Sequence, residues 1–493
     1  MDCIGLLLLF AVFFFTFLFW RTTRPSRFPP GPWALPVVGN LLQLNLKSPM
    51  KDFDKFAAKY GPVYSLYFGT VPVVVVHGLQ AVKEVLVNRG LEFADRAENP
   101  LIDSIIKRKG IVSAQYGESW KEHRRFTLST LRNFGLGKKS MEERICEETS
   151  HLSQYFENYK GAPFDPRLVI NNAVSNIICS IVFGNRFEYD DPFFRNIIGL
   201  VNENMKKASG VWAQIYNAVP LVRRLPLPHQ TILKNAEIVN AFLKSAQEEH
   251  KKTLVPGEPR DYIDCYLEEM EKQKKERGCE SIFEDENLTS CLADLFIAGT
   301  ETTATTLLWG LLYMMAFPDV QDCCHKEIDM VFGDSKQLNY EVKAEMPYMQ
   351  AVLHEVQRIG NTVPLGVPHA TLKEIHISGY VLPKGTQIFT NLSSVHYEES
   401  LWKFPHEFNP SNFLNDKGEF VKPEAFMPFG AGPRMCLGEN LARMELFLFF
   451  TAMLKRFHVS WPDDASGPDL TSIFGITQSP TPFKMRLKCR LQN

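Results

Sequence analysis

The stretch FGAGPRMCLG, residues 429–438, places a single cysteine in a glycine-rich loop. The pattern is F-x-x-G-x-R-x-C-x-G, formed by Phe429, Gly432, Arg434, Cys436 and Gly438. The glycines allow a tight loop whose backbone can approach a flat ligand. A long apolar segment follows, so Cys436 precedes a predicted helix, where free N–H groups and the helix dipole favour a thiolate. A lone thiolate without a cysteine or histidine at zinc spacing suits the axial position of haem iron, and Arg434 is a cation for a nearby acidic group.

A second candidate for chemistry is a polar notch in the long apolar segment 292–317. Glu301 and five threonines lie within residues 300–306. An ionised glutamate at the centre of a bilayer costs about 3 kcal/mol, so a buried core helix is favoured over a second transmembrane span. Ala298 and Gly299 remove side-chain bulk beside Glu301 and Thr302, which leaves room for a small ligand. A close helix–helix crossing at Gly299 is the alternative explanation of the same small residues.

Glu355 and Arg358 lie in the segment HEVQRIG. Their i, i+3 spacing puts both side chains on one face of a helix. Such pairs are common and contribute little when exposed, so the pair alone does not indicate a function.

The composition describes a large folded protein. The 493 residues are 45% hydrophobic and 22% charged, with a formal net charge of −2. No basic stripe or base-reading motif indicates a nucleic-acid partner. The ten cysteines lack framework spacing, which favours reduced thiols. The adjacent Cys323, Cys324 and His325 lack zinc spacing and are interpreted as helix residues.

The N-terminus predicts a membrane anchor. Residues 3–20 are almost entirely apolar and would form a helix roughly 27 Å long. Arg21, Arg24 and Arg27 follow, so the positive-inside rule keeps the rest of the chain cytosolic. The predicted organisation is an uncleaved transmembrane signal anchor (1–21), a basic and proline-rich hinge (22–40) and a catalytic domain (41–493). A cleaved signal peptide and a hairpin insertion are the alternatives.

Two further segments carry expectations about structure. Residues 63–69 and 71–78 are β-branched and aromatic runs around a turn, which predicts a hairpin. Residues 207–229 are interpreted either as a buried loop between helices or as a second membrane contact.

Together these motifs resemble the cytochrome P-450 haem-thiolate monooxygenases, of the microsomal vertebrate type similar to family two. The cysteine loop, the proline-rich hinge, WKEHRRF (120–126), AGTETT (298–303) and EVQR (355–358) match in order and spacing. The resemblance implies a mainly α fold with a smaller β region, in which a long central helix and the cysteine loop enclose haem b. This fold would follow the N-terminal membrane anchor.

The resemblance also implies a role for each matching position. Cys436 resembles the proximal iron ligand, and Phe429 and Gly432 belong to its loop. Glu301 and Thr302 resemble the acid–alcohol pair that delivers protons to bound oxygen. Glu355 and Arg358 resemble a structural pair behind the haem. The positions that match haem-propionate contacts are Arg96, Trp120, Arg124, His369 and Arg434.

One position departs from the family pattern. FPHEFNPSNF, residues 404–413, has Asn412 where a basic residue is usual. Asn412 can still form a hydrogen bond, but it is not a cation, so the third member of the Glu355–Arg358 network is in doubt.

The implied reaction inserts one oxygen atom from O2 into a lipophilic small molecule. Xenobiotics, fatty acids such as arachidonate, and steroids are the expected substrates, by hydroxylation, epoxidation or dealkylation. Electrons would come from NADPH through NADPH-cytochrome P-450 reductase, with cytochrome b5 as a further partner, at the endoplasmic reticulum membrane and its lipid. Candidate reductase contacts are Lys121, Arg125, Arg132, Lys138 and Lys139. Expected substrate contacts are Ala114, Ile297, Ala298, Val363, Val367 and the turn 473–476.

Two alternative functions remain at this level. One is an isomerase or dehydratase of the same fold that needs no reductase, which the retained Glu301–Thr302 pair disfavours. The other is a non-catalytic haem-binding or lipid-binding membrane protein.

Overall fold

The computed structural model describes residues 24–133, 139–277, 281–333, 337–462 and 467–490, together with Gly5 and Val12. Apart from those two positions, the predicted anchor lies outside the described residues, as does Lys138. Within the described ranges, no helix combines the length and the apolar character needed to cross a bilayer.

Helices form most of the described chain and the strands are short, as the sequence predicts. The helices are α1 (Met50–Tyr60), α2 (Leu79–Lys83), α3 (Pro100–Ile106), α4 (Glu118–Asn133), α5 (Lys139–Glu157), α6 (Arg167–Val182), α7 (Pro192–Lys207), α8 (Val211–Ala218), α9 (His229–Thr253), α10 (Tyr262–Arg277), α11 (Asp285–Ala316), α12 (Pro318–Phe332), α13 (Pro347–Gly360), α14 (Leu392–His396) and α15 (Glu439–Arg456).

The strands form one larger sheet and three two-stranded sheets. They are β1 (Val63–Phe68), β2 (Val71–His77), β3 (Asp95–Arg96), β4 (His369–Ala370), β5 (Ile375–Ile377), β6 (Tyr380–Leu382), β7 (Gln387–Asn391), β8 (Phe457–Ser460), β9 (Ser472–Ile473), β10 (Ser479–Pro480) and β11 (Arg486–Cys489). The larger sheet has the order β1-β2-β7-β4-β3, and β2 and β7 are its parallel pair. This sheet brings Arg96 on β3 opposite His369 on β4.

Helix α11 is buried along most of its length. It begins at Asp285, before the apolar run, because Asp285 and Glu286 occupy the first turn, where the helix dipole favours acidic side chains. Helices α6, α13 and α15 pack against it. At Gly299 an added Cβ atom would lie 3.1 Å from Ile178 Cγ1 of α6, so this glycine serves a close helix crossing. The predicted core helix is present. At Gly299 the close helix crossing, which was the alternative to space for a ligand, explains the missing side chain.

The predicted hairpin is present, with Val63 of β1 opposite Val76 of β2. The proline-rich segment lies along β1, where the N–H of Ser65 donates to the carbonyl of Pro30 at 2.7 Å. The N–H of Tyr67 donates to Asn40 Oδ1, also at 2.7 Å. The segment before residue 41 is therefore packed against the sheet, while the domain boundary at that residue stays a prediction.

Residues 207–229 combine a packed face and an exposed apolar face. Ala213 and Tyr216 of α8 are buried. Trp212 is 41% exposed, and Leu221 in the following 3-10 turn is 84% exposed. The segment is therefore neither fully buried nor fully exposed, and its outer side is open to a further apolar contact.

Candidate functional site

Glycine shapes the loop that carries Cys436. Gly432 has φ +73°, and an added Cβ atom would lie 1.7 Å from the carbonyl oxygen of Leu86, so a larger residue does not fit without backbone movement. The N–H of Cys436 donates to the carbonyl of Phe429 at 3.0 Å, which closes the loop. Helix α15 begins at Glu439, so the cysteine lies just before a helix N-terminus, as predicted.

The environment of the Cys436 thiol combines exposure and desolvation. The residue is accessible to solvent, yet the surrounding protein desolvates its sulfur. This burial raises the pKa of the thiol, while the backbone N–H groups of Gly438 and Glu439 and the guanidinium of Arg124 act in the opposite direction. The net shift is upward, so the helix N-terminus alone does not hold a thiolate here. A bound metal cation would supply the missing stabilisation, because a coordinating thiol is deprotonated.

The Ala298–Thr302 notch of α11 has accessible surface, although most of the helix is buried. Ala298 is exposed and Ile297 and Thr302 are partly exposed, although Thr300 and Thr303 beside them are buried. The spacing of the accessible positions puts them on one helix face. Thr302 Oγ1 donates to the carbonyl of Ala298 at 2.9 Å, so the lone pairs of the hydroxyl oxygen can accept a hydrogen bond from a group in the notch.

The side chain of Glu301 is buried, unlike the exposed Ala298 three residues before it. Its Oε1 accepts hydrogen bonds from Thr477 Oγ1 at 3.0 Å and Thr305 Oγ1 at 3.4 Å. Burial raises the pKa of its carboxyl group, and the bond from Thr477 and the charge of Lys206 oppose that shift. Glu301 and Thr302 are thus sequence neighbours whose side chains bond to different partners.

Arg434, Trp120 and Arg124 form a stacked group beside the cysteine loop. The Arg434 guanidinium carbon lies 4.0 Å from the centre of the Trp120 ring, and that of Arg124 lies 5.6 Å from it. Arg434 donates to the carbonyl oxygens of Ala94, Ile111 and Ala114 at 2.7–3.1 Å. Arg124 donates to the carbonyl of Met435 at 2.6 Å.

Arg96 and His369 extend this group along the sheet. Arg96 is buried and donates to the carbonyl oxygens of Val112 and Val367 at 2.8 and 2.9 Å. Burial, followed by the charge of Arg434, lowers the pKa of Arg96 to about 9. Burial and the charge of Arg96 lower the pKa of His369 to about 3, and its Nδ1 lies 2.9 Å from the carbonyl of Phe93.

This guanidinium cluster, Arg96, Arg124 and Arg434, fits an anionic ligand. Burial lowers the pKa of Arg434 to about 10, and the charge of Arg124 acts in the same direction, while Asp95, Tyr116 and Asp294 oppose the shift. Buried cations that destabilise one another are stabilised when an anion binds between them. A cofactor with a metal and carboxylates would be held by Cys436 at the metal and by this cluster at the carboxylates. The residues present therefore fit haem.

The comparison with known proteins decides the family. The sequence model described as Cytochrome P450 matches residues 29–487. The chain belongs to the cytochrome P450 family. It is 44% identical to human Cytochrome P450 2J2 over 468 residues, covering 95% of this chain and 92% of that protein. It is 45% identical to human Cytochrome P450 2D6 over 469 residues, which cover 94% of this chain and 94% of that protein. It is 44% identical to Cytochrome P450 2C23 of Rattus norvegicus over 471 residues, which cover 95% of each chain.

Cytochromes P450 are haem monooxygenases that use haem b, O2 and electrons supplied by NADPH through a reductase. In this P450, Cys436 is the residue that would hold the iron. The guanidinium cluster, with Trp120 and His369, would hold the propionates.

The predicted substrate contacts occupy different environments in this P450. Ala114 is buried, and its carbonyl accepts from Arg434. Val363 is partly exposed, while Val367 is 38% and Ile476 39% exposed. The N–H of Ile476 donates to the carbonyl of Met205 at 3.3 Å, which ties the turn 473–476 to helix α7.

Glu355 and Arg358 are both fully buried and form a bidentate ion pair with two distances of 2.7 Å. Asn412 Nδ2 donates to Glu355 Oε1 at 3.1 Å and to the carbonyl of Phe404 at 3.0 Å. Asn412 therefore joins this network as a hydrogen-bond donor without a charge. The N–H of Asn409 adds a further bond to Glu355 at 2.8 Å.

Asp294 is a site residue that the sequence reasoning missed. It lies on α11 and accepts hydrogen bonds from the N–H groups of Ile111 and Val112. The available signal was a lone aspartate in the apolar stretch LADLF, residues 292–296, because a charge in a core helix needs a partner.

Proposed function

We propose that this P450 is a microsomal monooxygenase that inserts one oxygen atom from O2 into lipophilic small molecules. The substrate class is xenobiotics, fatty acids such as arachidonate, and steroids, and the reactions are hydroxylation, epoxidation and dealkylation. The observation that carries the proposal is that Cys436 and Ala298 of α11 are both exposed and Thr302 is partly exposed, although the helix around Ala298 and Thr302 is mostly buried.

When bound, the haem supplies the oxygen chemistry, and a cysteine ligand favours O–O cleavage. Cys436 would hold the iron from one side, where the N–H groups of Gly438 and Glu439 point at the sulfur and moderate its charge. Arg96, Arg124 and Arg434, with Trp120 and His369, would fix the orientation of the group by its propionates.

Thr302 and Glu301 are the proposed catalytic residues of the chain. Since the Thr302 proton is directed to the Ala298 carbonyl, its oxygen can accept from and orient a water in the notch. Glu301, whose pKa is raised mainly by burial, can carry a proton at its carboxyl group, and Thr477 and Thr305 hold Oε1 in place. A rotation of Glu301 towards Thr302 would link the two groups.

The aliphatic lining supports the lipophilic substrate class. Ala114, Ile297, Ala298, Val363 and Val367 carry no charge, so the groups that would touch a substrate offer dispersion and exclusion of water. The position at which a substrate is oxidised would then depend on the shape of the substrate and its site more than on an ion pair between them.

Membrane association and electron supply complete the proposal. The predicted anchor 1–21 and the exposed side chains of Trp212 and Leu221 support contact with lipid of the endoplasmic reticulum, with the catalytic domain on the cytosolic side. Lys121 and Arg125 on α4 are exposed cations near the cysteine loop, which supports docking of an acidic surface of NADPH-cytochrome P-450 reductase, and of cytochrome b5.

The deciding experiment combines the purified protein with reductase, NADPH and a panel of lipophilic compounds, and measures NADPH consumption and oxygenated product. Product formation that depends on reductase supports the proposal. Conversion of peroxides without reductase would instead indicate an isomerase or dehydratase, and no turnover across the panel would indicate a binding protein. Thr302→Ala should uncouple NADPH consumption from product formation, so that NADPH is still consumed but peroxide is released in place of oxygenated product. Thr289→Ala, near the start of the same helix, is the matched control and should leave coupling unchanged.

A further inference from the structure

Asp294 connects the central helix to the loop before α4. Its Oδ2 accepts the N–H of Ile111 at 2.6 Å and the N–H of Val112 at 2.9 Å. Burial raises the pKa of Asp294 to about 6, and these N–H groups and the charges of Arg96 and Arg434 oppose the shift. The carboxylate is therefore directed at backbone within the protein.

The same loop residues bind the proposed propionate contacts through their carbonyl groups. The carbonyl oxygen of Ile111 accepts Trp120 Nε1 at 3.0 Å and Arg434 Nη1 at 3.1 Å. The carbonyl oxygen of Val112 accepts Arg96 Nε at 2.8 Å.

One rigid peptide unit joins the two sets of bonds. The C=O of Ile111 and the N–H of Val112 belong to the same planar peptide group and point in opposite directions. Asp294 therefore fixes one edge of this plane, while Arg434 and Trp120 bind the opposite edge. Hydrogen bonds on the two edges also polarise each other and become stronger together.

Gly110 makes this close approach feasible. It has φ +78°, and an added Cβ atom would lie 2.4 Å from Asp294 Oδ2. A side chain at this position would push the loop away from the carboxylate.

We propose that Asp294 and Gly110 form a clamp that positions Arg434, Trp120 and Arg96 for the haem propionates. Asp294 is thus a positioning residue that controls retention of the cofactor without touching substrate. The inference rests on the propionate roles proposed above for these three side chains.

A second connection between the same loop and the same helix supplies a matched control. Lys109 Nζ lies 2.5 Å from Glu284 Oε1 and 2.7 Å from Glu286 Oε2, both at the start of α11. These are exposed ion pairs, and such pairs contribute little. Lys109→Ala therefore loosens the loop at its surface end while the clamp stays intact.

The test measures the rate at which the holoprotein releases haem to an excess of apomyoglobin, a reading that does not depend on turnover or on the proposed monooxygenase activity. Asp294→Asn and Gly110→Ala are each expected to accelerate release at least tenfold and to shift the propionate bands of the resonance Raman spectrum. Because both substitutions disrupt the same clamp, their effects should not multiply. The double variant should release haem less than threefold faster than the faster of the two single variants. Lys109→Ala should stay within twofold of wild type.

Three results would overturn the clamp. They are a release rate within twofold of wild type for Asp294→Asn, a fully multiplicative double variant, and equal acceleration by Lys109→Ala. Should the clamp variants not accumulate as holoprotein, amide hydrogen exchange in the wild-type holoprotein decides. The N–H groups of Ile111 and Val112 should exchange at least a hundredfold more slowly than free amides, and exchange at the free rate would refute the inference.

Discussion

Replacing Arg358 with lysine tests the buried network behind the cysteine loop. Arg358 is fully buried, and its five N–H groups reach six acceptors, so one N–H is shared. The acceptors are the two carboxylate oxygens of Glu355 and the backbone carbonyl oxygens of His396, Phe404, Pro405 and Glu407. A lysine keeps the charge but offers at most three donors. Two of the six acceptors keep another donor, because Glu355 Oε1 also accepts from the N–H of Asn409 and the carbonyl of Phe404 from Asn412 Nδ2. The single ammonium nitrogen replaces one guanidinium nitrogen, and none of these serves more than two of the other four acceptors. At least two acceptors therefore lose their partner in Arg358→Lys.

The expected loss is large relative to the total stability. Each buried acceptor without a partner costs about 1–3 kcal/mol, so two of them should make Arg358→Lys cost about 2–6 kcal/mol. A folded protein has about 5–15 kcal/mol in total, so the yield of folded haem protein should fall below that of wild type. Asn412→Ala removes a weaker set of bonds, because Glu355 keeps Arg358 and the N–H of Asn409, and it should cost about 1–3 kcal/mol.

The assay is the haem bound per polypeptide, followed by thermal loss of the ferrous–CO band. The predicted order of stability is wild type, then Asn412→Ala, then Arg358→Lys. Arg125→Lys is the control, since that side chain is 75% exposed and pairs only with Glu122, so its effect should be near zero. Wild-type haem content and a smaller fall in Tm for Arg358→Lys than for Asn412→Ala would refute the reasoning.

Three further predictions concern the loop and two buried titrating groups. Gly432→Ala should abolish haem incorporation because its Cβ atom has no space, while Gly199→Ala, with open space on helix α7, should retain wild-type haem content. Burial raises the pKa of Glu445 to about 8, so ionisation of this group destabilises the fold increasingly as the pH rises from about 4.5 to about 8. Glu445→Gln should therefore raise Tm, and by more at about pH 8.5 than at about pH 5.5. An equal rise at both pH values would contradict this prediction. Burial lowers the pKa of His250, but the bond to Asp261 at 2.8 Å and nearby charges outweigh it and raise the pKa above its usual value. The stabilisation of the fold by protonated His250 is complete below about pH 6.5 and is lost as the pH rises through the raised pKa. The amount by which His250→Gln lowers Tm should therefore shrink between about pH 6 and pH 9. A constant difference in Tm would argue against the charged pair.

Local sequence patterns predicted the helices and strands that carry the site. The hydrogen-bond partners of the site residues come from segments distant in sequence and were not predicted. The hairpin β1–β2 and helix α15 follow from β-branched and apolar runs, which act within a few residues. The partner of Glu301 is Thr477, 176 positions away, and the partner of Ile111 is Asp294, 183 positions away. Nothing in the local sequence fixes such pairs, because they depend on how the helices pack.

The thiol of Cys436 shows how tertiary packing changes a local expectation. The helix N-terminus and Arg124 act on its pKa in the predicted direction, but burial outweighs them. Asn412 shows the same principle in reverse, since the fold brings its amide to Glu355 although the sequence lacks the usual cation. At both positions the charges of nearby sequence positions were therefore not enough to predict the interactions of the side chain.

The ferrous–CO absorption spectrum tests the assignment of Cys436 most directly. Wild-type protein should show the Soret band of a thiolate-ligated haem. Cys436→Ser should lose that band together with activity, and Cys489→Ser, which changes another exposed cysteine, should keep both. A thiolate band that persists in Cys436→Ser would contradict the proposed iron ligand.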